Sequence, residues 1–441
     1  MFKKLTRGCV NLVEKYLPDA FIFAIFLTII VFLLALINTG KAPLDLVGFW
    51  GKGFWGLLSF SMQMILVLIT GHALAQASIF KNLLKKIASI AKTPVQAILL
   101  VTFVSAICCW LNWGFGLVIG ALLAKELARQ VRGLDYRLLI ASAYSGFLVW
   151  HGGLSGSIPL KVVEANGGLK GVTFPAIPVS QTLFSSTNLT ISIILILTLP
   201  LINMFMMPKK EDVIEFIPEE DGELAASAET QIIKIPTAAQ KLENSMFMSL
   251  IISILGFAYI IKYFINGGSL SLDSINMIFL FTGILLHKTP LNYVKAIENS
   301  IKGAGGIALQ FPFYGGIMGI MVDSGLAANI ANWFVNVSSI RSFPVYTFLS
   351  AGLVNLFIPS GGGQWAAQGP IVMDAAQKLG VPLGKAAMAL AWGDAWTNMI
   401  QPFWALPILG LAKLGARDIM GYCLMDLIYS GIVIALIMYL V

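Results

Sequence analysis

Apolar runs of about 20 residues recur from one end of this sequence to the other, which is the length that an α-helix needs to cross the hydrocarbon core of a bilayer. The runs lie near residues 19–40, 54–77, 96–124, 138–160, 184–206, 245–265, 273–287, 303–322, 343–379, 384–414 and 419–441. They predict an all-α polytopic membrane protein that has no soluble domain of useful size.

The composition excludes a water-soluble fold. Hydrophobic residues make up 57% of the 441 residues and charged residues 12%, whereas a soluble domain has about 25% charged residues. The net charge of +7 comes from basic residues spread over the loops, which is a topological signal and not a nucleic-acid site. The first run continues to about Asn38 without a small-residue cleavage site, so we expect a retained helix and not a signal peptide.

Two apolar segments carry a break near the middle, and the flanking charges predict that each enters and leaves the membrane on one side. Four basic residues precede the segment 96–124 and four follow it, and such clusters normally stay in the cytoplasm. The turn Asn112–Gly116 would then form the tip of a re-entrant hairpin. The segment 343–379 has the same design, with Pro359–Gly363 as its tip.

This path predicts two repeats of inverted topology. With a cytoplasmic amino terminus, the cytoplasmic loops collect 21 of the 29 Lys and Arg residues and the other side collects 8. The predicted parts are repeat 1 (1–207, hairpin at about 96–124, broken helix at about 138–160), a polar cytoplasmic linker (208–244), a connecting helix (245–266) and repeat 2 (267–441, hairpin at about 343–379, broken helix at about 384–414).

The two predicted repeats also share an order of motifs. A shift of 248 residues places Asn112 on Ser360 and Gly114 on Gly362. In both halves a helix follows the hairpin tip after 25 to 30 residues and leads to a polar break before a proline. Inverted repeats with broken helices that meet at mid-membrane are a transporter architecture, and the breaks mark the binding site.

The candidate site lies where backbone is irregular at membrane depth, because such backbone is tolerated only inside protein or beside a wet cavity. Four places qualify: the two hairpin tips and the stretches 150–157 and 396–402. A glycine there can also serve close helix packing alone. The candidate substrate-binding residues are Asn112, Trp113, Gly114, Gly116, Gly153, Ser155, Ser157, Ser360, Gly361, Gly362, Gly363, Gln364, Thr397, Asn398 and Gln401.

The charge of these places predicts the kind of ligand. Helix amino termini at the breaks carry partial positive charge and spare NH donors, which can hold one carboxylate. The spans near the breaks contain no Lys or Arg, so a monoanion with a short apolar tail is favoured over a multiply charged substrate. Aromatic residues could form a wall for that tail, although Trp also anchors helices at the membrane surface. They are Trp113, Trp150, Trp365, Phe403 and Trp404.

Ionisable residues inside spans are candidates for ion coupling. Asp394 lies four residues before Asn398 and could bind a coupling proton, bind Na⁺ or cap a neighbouring helix. His72 and Asp426 lie closer to the ends of their segments, where a charge is less costly. His151 lies at a break and titrates in a suitable range, but it could equally be a hydrogen-bonding spacer.

The sequence shows no pattern of an enzyme, a metal site or a cofactor site. Its four cysteines and three histidines lack metal-ligand spacing. The Gly361–Gly363 run lies between apolar segments and has no following Lys-Ser or Lys-Thr, so it is not a nucleotide-binding loop.

Several stretches of the sequence carry a resemblance to a known family. They are Leu17-Pro18-Asp19, Gly71-His72-Ala73-Leu74-Ala75, Ala91-Lys92-Thr93-Pro94-Val95-Gln96, Asn112-Trp113-Gly114-Phe115-Gly116-Leu117-Val118, Leu286-His287-Lys288-Thr289-Pro290, Gln310-Phe311-Pro312-Phe313-Tyr314, Pro359-Ser360-Gly361-Gly362-Gly363 and Gln401-Pro402-Phe403-Trp404-Ala405-Leu406-Pro407. Together they resemble the short-chain fatty acid transporter family over essentially the whole chain.

The resemblance implies a fold and a set of contacts. It suggests membership of the larger ion-transporter superfamily, whose members have two inverted repeats, two re-entrant hairpins, an elevator-like moving domain and a homodimeric assembly. It assigns substrate contact to Asn112, Ser360, Thr397 and Asn398. Glycine is common in the family where His151 stands, so the resemblance gives this histidine no proton role.

We therefore expect a secondary transporter of short-chain monocarboxylates, such as acetoacetate or butyrate, in a bacterial inner membrane. Transport would be coupled to H⁺ or Na⁺. The alternatives are a dicarboxylate or cation/proton exchanger on the same fold, a substrate-selective channel, and a membrane subunit or sensor that does not transport.

Overall fold

The computed structural model describes residues 2–169, 172–216, 237–268, 271–301 and 304–441. Regular structure in these residues is entirely helical, which confirms the predicted all-α class. The helices are α1 Phe2–Tyr16, α2 Ala20–Thr39, α3 Pro43–Phe54, α4 Leu58–Gln76, α5 Ser78–Ala88, α6 Pro94–Leu111, α7 Trp113–Gln130, α8 Tyr136–Ser145, α9 Ser157–Lys161, α10 Ser186–Phe205, α11 Ala238–Glu243, α12 Met246–Ile265, α13 Leu272–His287, α14 Pro290–Ser300, α15 Gly305–Asp323, α16 Leu326–Asn336, α17 Phe343–Asn355, α18 Gly361–Leu379, α19 Leu383–Thr397, α20 Pro402–Ala412 and α21 Ala416–Leu440.

Six described helices are long and apolar enough to cross a membrane, namely α2, α6, α10, α12, α15 and α21. The pair Pro43–Phe54 and Leu58–Leu74 also passes this test as one unit, with a bend of 40° between its helices. The predicted segment 54–77 contains the second helix of this pair, α4, whereas the first helix, α3, lies before it and was not predicted. Proline is favoured at the first position of a helix, and Pro43 begins this one.

Four shorter helices, α1, α5, α14 and α16, lie between the long apolar runs. Their apolar residues alternate with polar ones, so a search for continuous apolar runs does not find them. The amphipathic helix α1 packs along α21.

Helices α6 and α7 pack side by side and are separated by Asn112 alone. Gly116 lies against Cys109, and Gly120 lies against Ser105. Because these pairs are placed symmetrically about Asn112, the two helices run antiparallel and form a hairpin.

Helices α17 and α18 form a second pair of this kind. Gln364 Nε2 donates to the carbonyl of Ala351 at 2.7 Å, and Gln368 Nε2 donates to Ser350 Oγ at 3.1 Å. These bonds again join positions on either side of a turn, which here ends at Ser360.

The helices fall into two packing groups. We call α2, α3, α4, α12, α13, α14 and α15 the frame helices, and α6 to α10 with α17 to α21 the central helices, because most of the extensive contacts lie within each set. In the frame, Gly53 and Gly315 bring the backbones of α3 and α15 together. The division of the chain into two inverted repeats with a linker stays a prediction, and residues 217–236 of that linker lie outside the described residues.

Candidate substrate site

The first hairpin tip is held by side chains at both ends of its turn. Asn112 has an extended backbone (φ −155°, ψ 123°), and its Oδ1 accepts a hydrogen bond from the Phe115 amide at 3.0 Å. This is an N-cap, which satisfies one of the free NH groups at the start of α7. The next amide, that of Trp113, donates to Ser155 Oγ at 3.0 Å. The tip is thereby joined to the break that follows α8.

Glycines allow the backbones around this tip to approach closely. A side chain at Gly116 would overlap Cys109, and one at Gly153 would overlap the carbonyl of Trp110. Gly114 is also buried. At Gly116 and Gly153 the close-packing interpretation of a glycine therefore applies.

The second hairpin tip repeats the cap of the first. Ser360 has nearly the same backbone conformation as Asn112 (φ −154°, ψ 111°), and its Oγ accepts from the Gly363 amide at 3.2 Å. A Cβ at Gly361 would lie 3.0 Å from His151 Nε2 and 3.2 Å from Ser157 Cβ, whereas Gly362 has open space. The second tip therefore also packs on the break after α8.

His151 and Asp394 meet between the two broken helices. His151 ends the 3₁₀ segment Gly146–Gly152, and its ring stacks on Trp150 with centroids 3.8 Å apart. Its Nε2 accepts the Ile158 amide hydrogen at 3.2 Å, so the hydrogen of the neutral ring is on Nδ1. Nδ1 lies 3.2 Å from Asp394 Oδ1, and both side chains are 0% exposed.

Asn355 connects the second hairpin to the second break. Its Nδ2 lies 2.7 Å from the Asp394 carbonyl, 3.0 Å from Thr397 Oγ1 and 2.8 Å from Asn398 Oδ1. Its own carbonyl accepts a hydrogen bond from Gln401 Nε2. An amide nitrogen has two hydrogens, so it cannot fully satisfy three acceptors. One oxygen of this group is available to a ligand.

Five side chains of α17, α18, α19 and the second break hold buried polar atoms without a hydrogen-bond partner in the described chain. The atoms are Asn355 Oδ1, Gln364 Oε1, Asp394 Oδ1 and Oδ2, Asn398 Nδ2 and Gln401 Oε1, and nearby His151 Nδ1 and the indole nitrogens of Trp150 and Trp404 are unpartnered too. Each unpaired buried group costs about 1–3 kcal/mol. A ligand or ordered water at this place would supply the missing partners.

Aromatic rings cover the side of the site that faces the frame helices. Trp113 and Trp404 have centroids 5.3 Å apart, and Trp150 lies 5.9 Å from each. Phe403 stacks on Phe311 of α15 at 4.1 Å. These rings provide the apolar surface that a short hydrocarbon tail requires.

Two residues singled out from the sequence lie elsewhere. Trp365 is not part of the aromatic wall, because its Nε1 donates to the Gly167 carbonyl at 2.8 Å. His72 is half-buried on α4, where the positive charges of Lys125 and Lys413 act on it. Among the described residues it forms no hydrogen bond to the polar groups of the site.

Asn355 and the pairing of His151 with Asp394 were not predicted as site features. Asn355 is the only amide side chain in the mainly apolar helix α17, and that was the one sequence signal that could have identified it. The four irregular segments lie close together: the first tip contacts the first break through Ser155, and the second tip contacts it at Gly361. Asn355, just before the second tip, bonds to Thr397 of the second break, and Asp394, just before that break, lies beside His151. The resulting site offers amide and hydroxyl groups and an apolar wall.

Comparison with known proteins gives the family. The short-chain fatty acid transporter family matches residues 1–441. A protein of Escherichia coli (strain K12) is 47% identical over 434 residues, with 98% of each chain covered. One of Haemophilus influenzae is 46% identical over 441 residues, again with 98% coverage. Both are named as candidate short-chain fatty acid transporters.

Two solved structures show weaker similarity. The YdaH transporter of Alcanivorax borkumensis has a TM-score of 0.42 at 13% identity, over 95% of this chain and 98% of that one. MtrF of Neisseria gonorrhoeae, described as one of a class of antimetabolite efflux pumps, has a TM-score of 0.36 at 14% identity, over 98% and 97%.

The family match covers the chain from end to end, and the two relatives match almost their entire length. This family consists of transporters and not of enzymes. The apolar helices of this chain make it a multi-pass membrane protein. The chain belongs to the short-chain fatty acid transporter family.

Proposed function

We propose that this protein is a secondary carrier that moves short-chain monocarboxylates, such as acetoacetate or butyrate, across a bacterial inner membrane. The observation that carries this proposal is the convergence of two capped hairpin tips and two broken helices, where Asn398 Nδ2 is a buried donor without a partner among the described residues. The family assignment supports the substrate class.

The polarity of the site favours a monoanion. Its described side chains contain amides, hydroxyls, one carboxyl group and one imidazole, but no Lys or Arg. Asn398 Nδ2 is an unused donor, and the amino termini of α7 and α18 lie at the two tips. These groups can hold one carboxylate, whereas a dicarboxylate would bring a second charge with no cation to meet it.

The packing of the helices is compatible with an elevator-like movement of the central helices against the frame. The contact between the groups includes the aromatic pairs Phe60 with Trp404 and Phe311 with Phe403. Lys52 pairs with Asp323 within the frame, and Lys378 pairs with Asp374 within the central helices. Apolar ring contacts have no fixed partners to break, so they permit sliding at low cost.

Asp394 is the residue that we assign to ion coupling, with H⁺ or Na⁺ as the ion. Its carboxyl group is buried, and His151 is the only described side chain with a titratable nitrogen close to it. Binding of a cation there would offset the charge of the incoming anion. We further propose that the amino terminus faces the cytoplasm and that the carrier forms a homodimer.

Uptake of labelled butyrate and acetoacetate into proteoliposomes tests the proposal, with a pH gradient or a Na⁺ gradient imposed separately. We expect saturable uptake, driven by one of the two gradients and accelerated by unlabelled substrate on the far side. Uptake of dicarboxylates alone would support the exchanger instead. Flux that does not saturate and shows no such acceleration would identify a channel. An absence of monocarboxylate flux under every gradient would refute the proposal.

A further inference from the structure

A second buried carboxyl group lies outside the candidate substrate site. Asp426 is in α21, which packs against α8 and α10, and its side chain is 0% exposed. No basic residue of the described chain forms an ion pair with it. A buried carboxylate with no cation is costly, so the neutral acid is the favoured form.

The hydrogen bonds around Asn203 fit that neutral form. Thr102 and Ser145 each donate a hydroxyl hydrogen to a carbonyl of their own chain segment, at 2.8 and 2.9 Å. Asn203 Nδ2 donates to both hydroxyl oxygens, at 3.1 and 2.8 Å. The carbonyl oxygen of the Asn203 side chain then faces Asp426, with 3.1 and 3.3 Å to its two oxygens. A hydrogen on Asp426 is required between these oxygens.

If the Asn203 amide is rotated by half a turn, its hydrogen bonds fit the ionised form of Asp426. Nδ2 of Asn203 would then donate to both oxygens of Asp426, at 3.1 and 3.3 Å. Its oxygen would accept from the hydroxyls of Thr102 and Ser145, at 3.1 and 2.8 Å. Each protonation state of Asp426 therefore has a matching orientation of the Asn203 amide, and the two states differ by a half-turn of that amide and by the direction of the Thr102 and Ser145 hydroxyl hydrogens.

The titratable groups on the helices around α21 supply no counter-charge near Asp426. The basic residues on these helices form no ion pair with Asp426 among the described residues; they are Lys3, Lys4, Arg7 and Lys15 on α1, Arg137 on α8, Lys385 on α19 and Arg417 on α21. Two of the helices carry further acids, which are Glu14 on α1 and Asp418 on α21. The remaining titratable groups are neutral when protonated; they are Cys9 and Tyr16 on α1, Cys108 and Cys109 on α6, Tyr136 and Tyr144 on α8, Tyr346 on α17, and Tyr422, Cys423, Tyr429 and Tyr439 on α21. Helices α10 and α20 have no titratable residue. Asp394 on α19 lies beside His151.

A cavity of about 670 Å³ lies near this carboxyl group. Charged residues line it, among them Lys4, Arg7 and Arg137, and it reaches Tyr422 on α21 and Met206 beyond α10. Tyr422 precedes Asp426 by four residues, and Met206 follows Asn203 by three. The carboxyl group thus lies about one helical turn, or about 5 Å along the axis, below the cavity.

We propose that Asp426 is a proton-binding site of the carrier, which exchanges its proton with the cavity while the Asn203 amide turns to match each state. The acid form loses H⁺ to water in the cavity and becomes the carboxylate, and no other reactant is needed. The assignment of Asp426 to coupling rests on the proposed carrier function. Its occupancy by a proton does not depend on transport.

Infrared difference spectroscopy of the purified full-length protein in lipid tests whether Asp426 binds a proton, and it does so without a measurement of transport. At pH 7 we expect a carboxylic acid C=O band that shifts in D₂O and is absent in Asp426→Asn. The band should persist in Asp418→Asn, a change at a half-buried acid in the first turn of the same helix. In Asn203→Ala the band should move to higher frequency, because the acid loses its hydrogen-bond acceptor.

The Asp426→Asn variant should fold, because the new amide can donate to Asn203 as the acid does. An acid band unchanged in this variant, or no acid band in the wild-type protein, would overturn the proposal even if transport is intact. If the band behaves as expected, pH-driven accumulation of butyrate should fall about tenfold or more in Asp426→Asn and stay normal in Asp418→Asn. Unaltered accumulation in Asp426→Asn would refute the coupling role.

Discussion

The imidazole Nδ1 of His151 lies 3.2 Å from Asp394 Oδ1, and this buried contact connects the two broken helices. The ring is held in place by stacking on Trp150 and by the Ile158 amide hydrogen at Nε2. The two residues are 243 positions apart, so the contact exists only when both halves of the chain are correctly assembled.

A double-mutant cycle measures this contact. Leaving a buried polar group without its neighbour typically costs about 1–3 kcal/mol, so His151→Ala should lower the thermal stability of the protein in lipid. His151→Ala combined with Asp394→Asn should cost less than the sum of the two single changes. Additive effects would show that the two groups do not interact.

Asn398 should contribute to substrate affinity more than to folding. Its Nδ2 is an unused donor in the site, so Asn398→Ala removes one hydrogen bond to the ligand, worth about 0.5–1.5 kcal/mol. We expect a rise in KM of about two- to tenfold in proteoliposome uptake. Asn292→Ala, a change at an exposed Asn of α14, is the control. An unchanged KM in Asn398→Ala would contradict the site placement.

The two hairpin caps should tolerate exchange but not removal. Asn112 and Ser360 have matching backbone angles and cap α7 and α18 in the same way. Asn112→Ser and Ser360→Asn keep an acceptor, whereas Ser360→Ala should cost about 0.5–2 kcal/mol and weaken substrate binding. Thermal unfolding and equilibrium binding of labelled butyrate measure the two effects. Equal behaviour of the Ala and Asn variants at position 360 would rule out the cap.

The aromatic wall should set the chain length of the preferred acid. Trp404 contacts Trp113 and Phe60, so Trp404→Ala opens space beside the site. We expect longer acids to compete better with labelled butyrate in this variant, with a gain of about 1–3 kcal/mol at most. Trp404→Phe keeps a ring and serves as the control. If the wild-type protein and Trp404→Ala prefer acids of the same chain length, the aromatic wall does not set this preference.

The sequence predicted the features that depend on local chemistry. The breaks at Asn112 and Ser360 were visible because polar and glycine residues interrupt apolar runs, and the structure has helix starts at both places. Amphipathic helices such as α1 and α5 were missed, because their apolar residues are not continuous in sequence. The start of α3 was missed for the same reason.

Contacts between distant segments could not be read from the sequence. Asn355 is the last residue of the mainly apolar helix α17, and its bonds to Thr397 and Asn398 arise only from the packing of α17 on α19. Trp365 was placed in the wall from its nearness to the second tip, but its side chain is directed to Gly167. Neighbourhood along a helix does not fix the direction of a side chain.

The central claim is that the four irregular segments bind one small monocarboxylate between them. An experimental structure with butyrate bound would test this most directly. The account predicts ligand density between the tips at Asn112 and Ser360, with the carboxylate within hydrogen-bond distance of Asn398 and the tail against Trp113 or Trp404. Density for butyrate at a different place, with the groups around Asn355 still unpartnered, would contradict it.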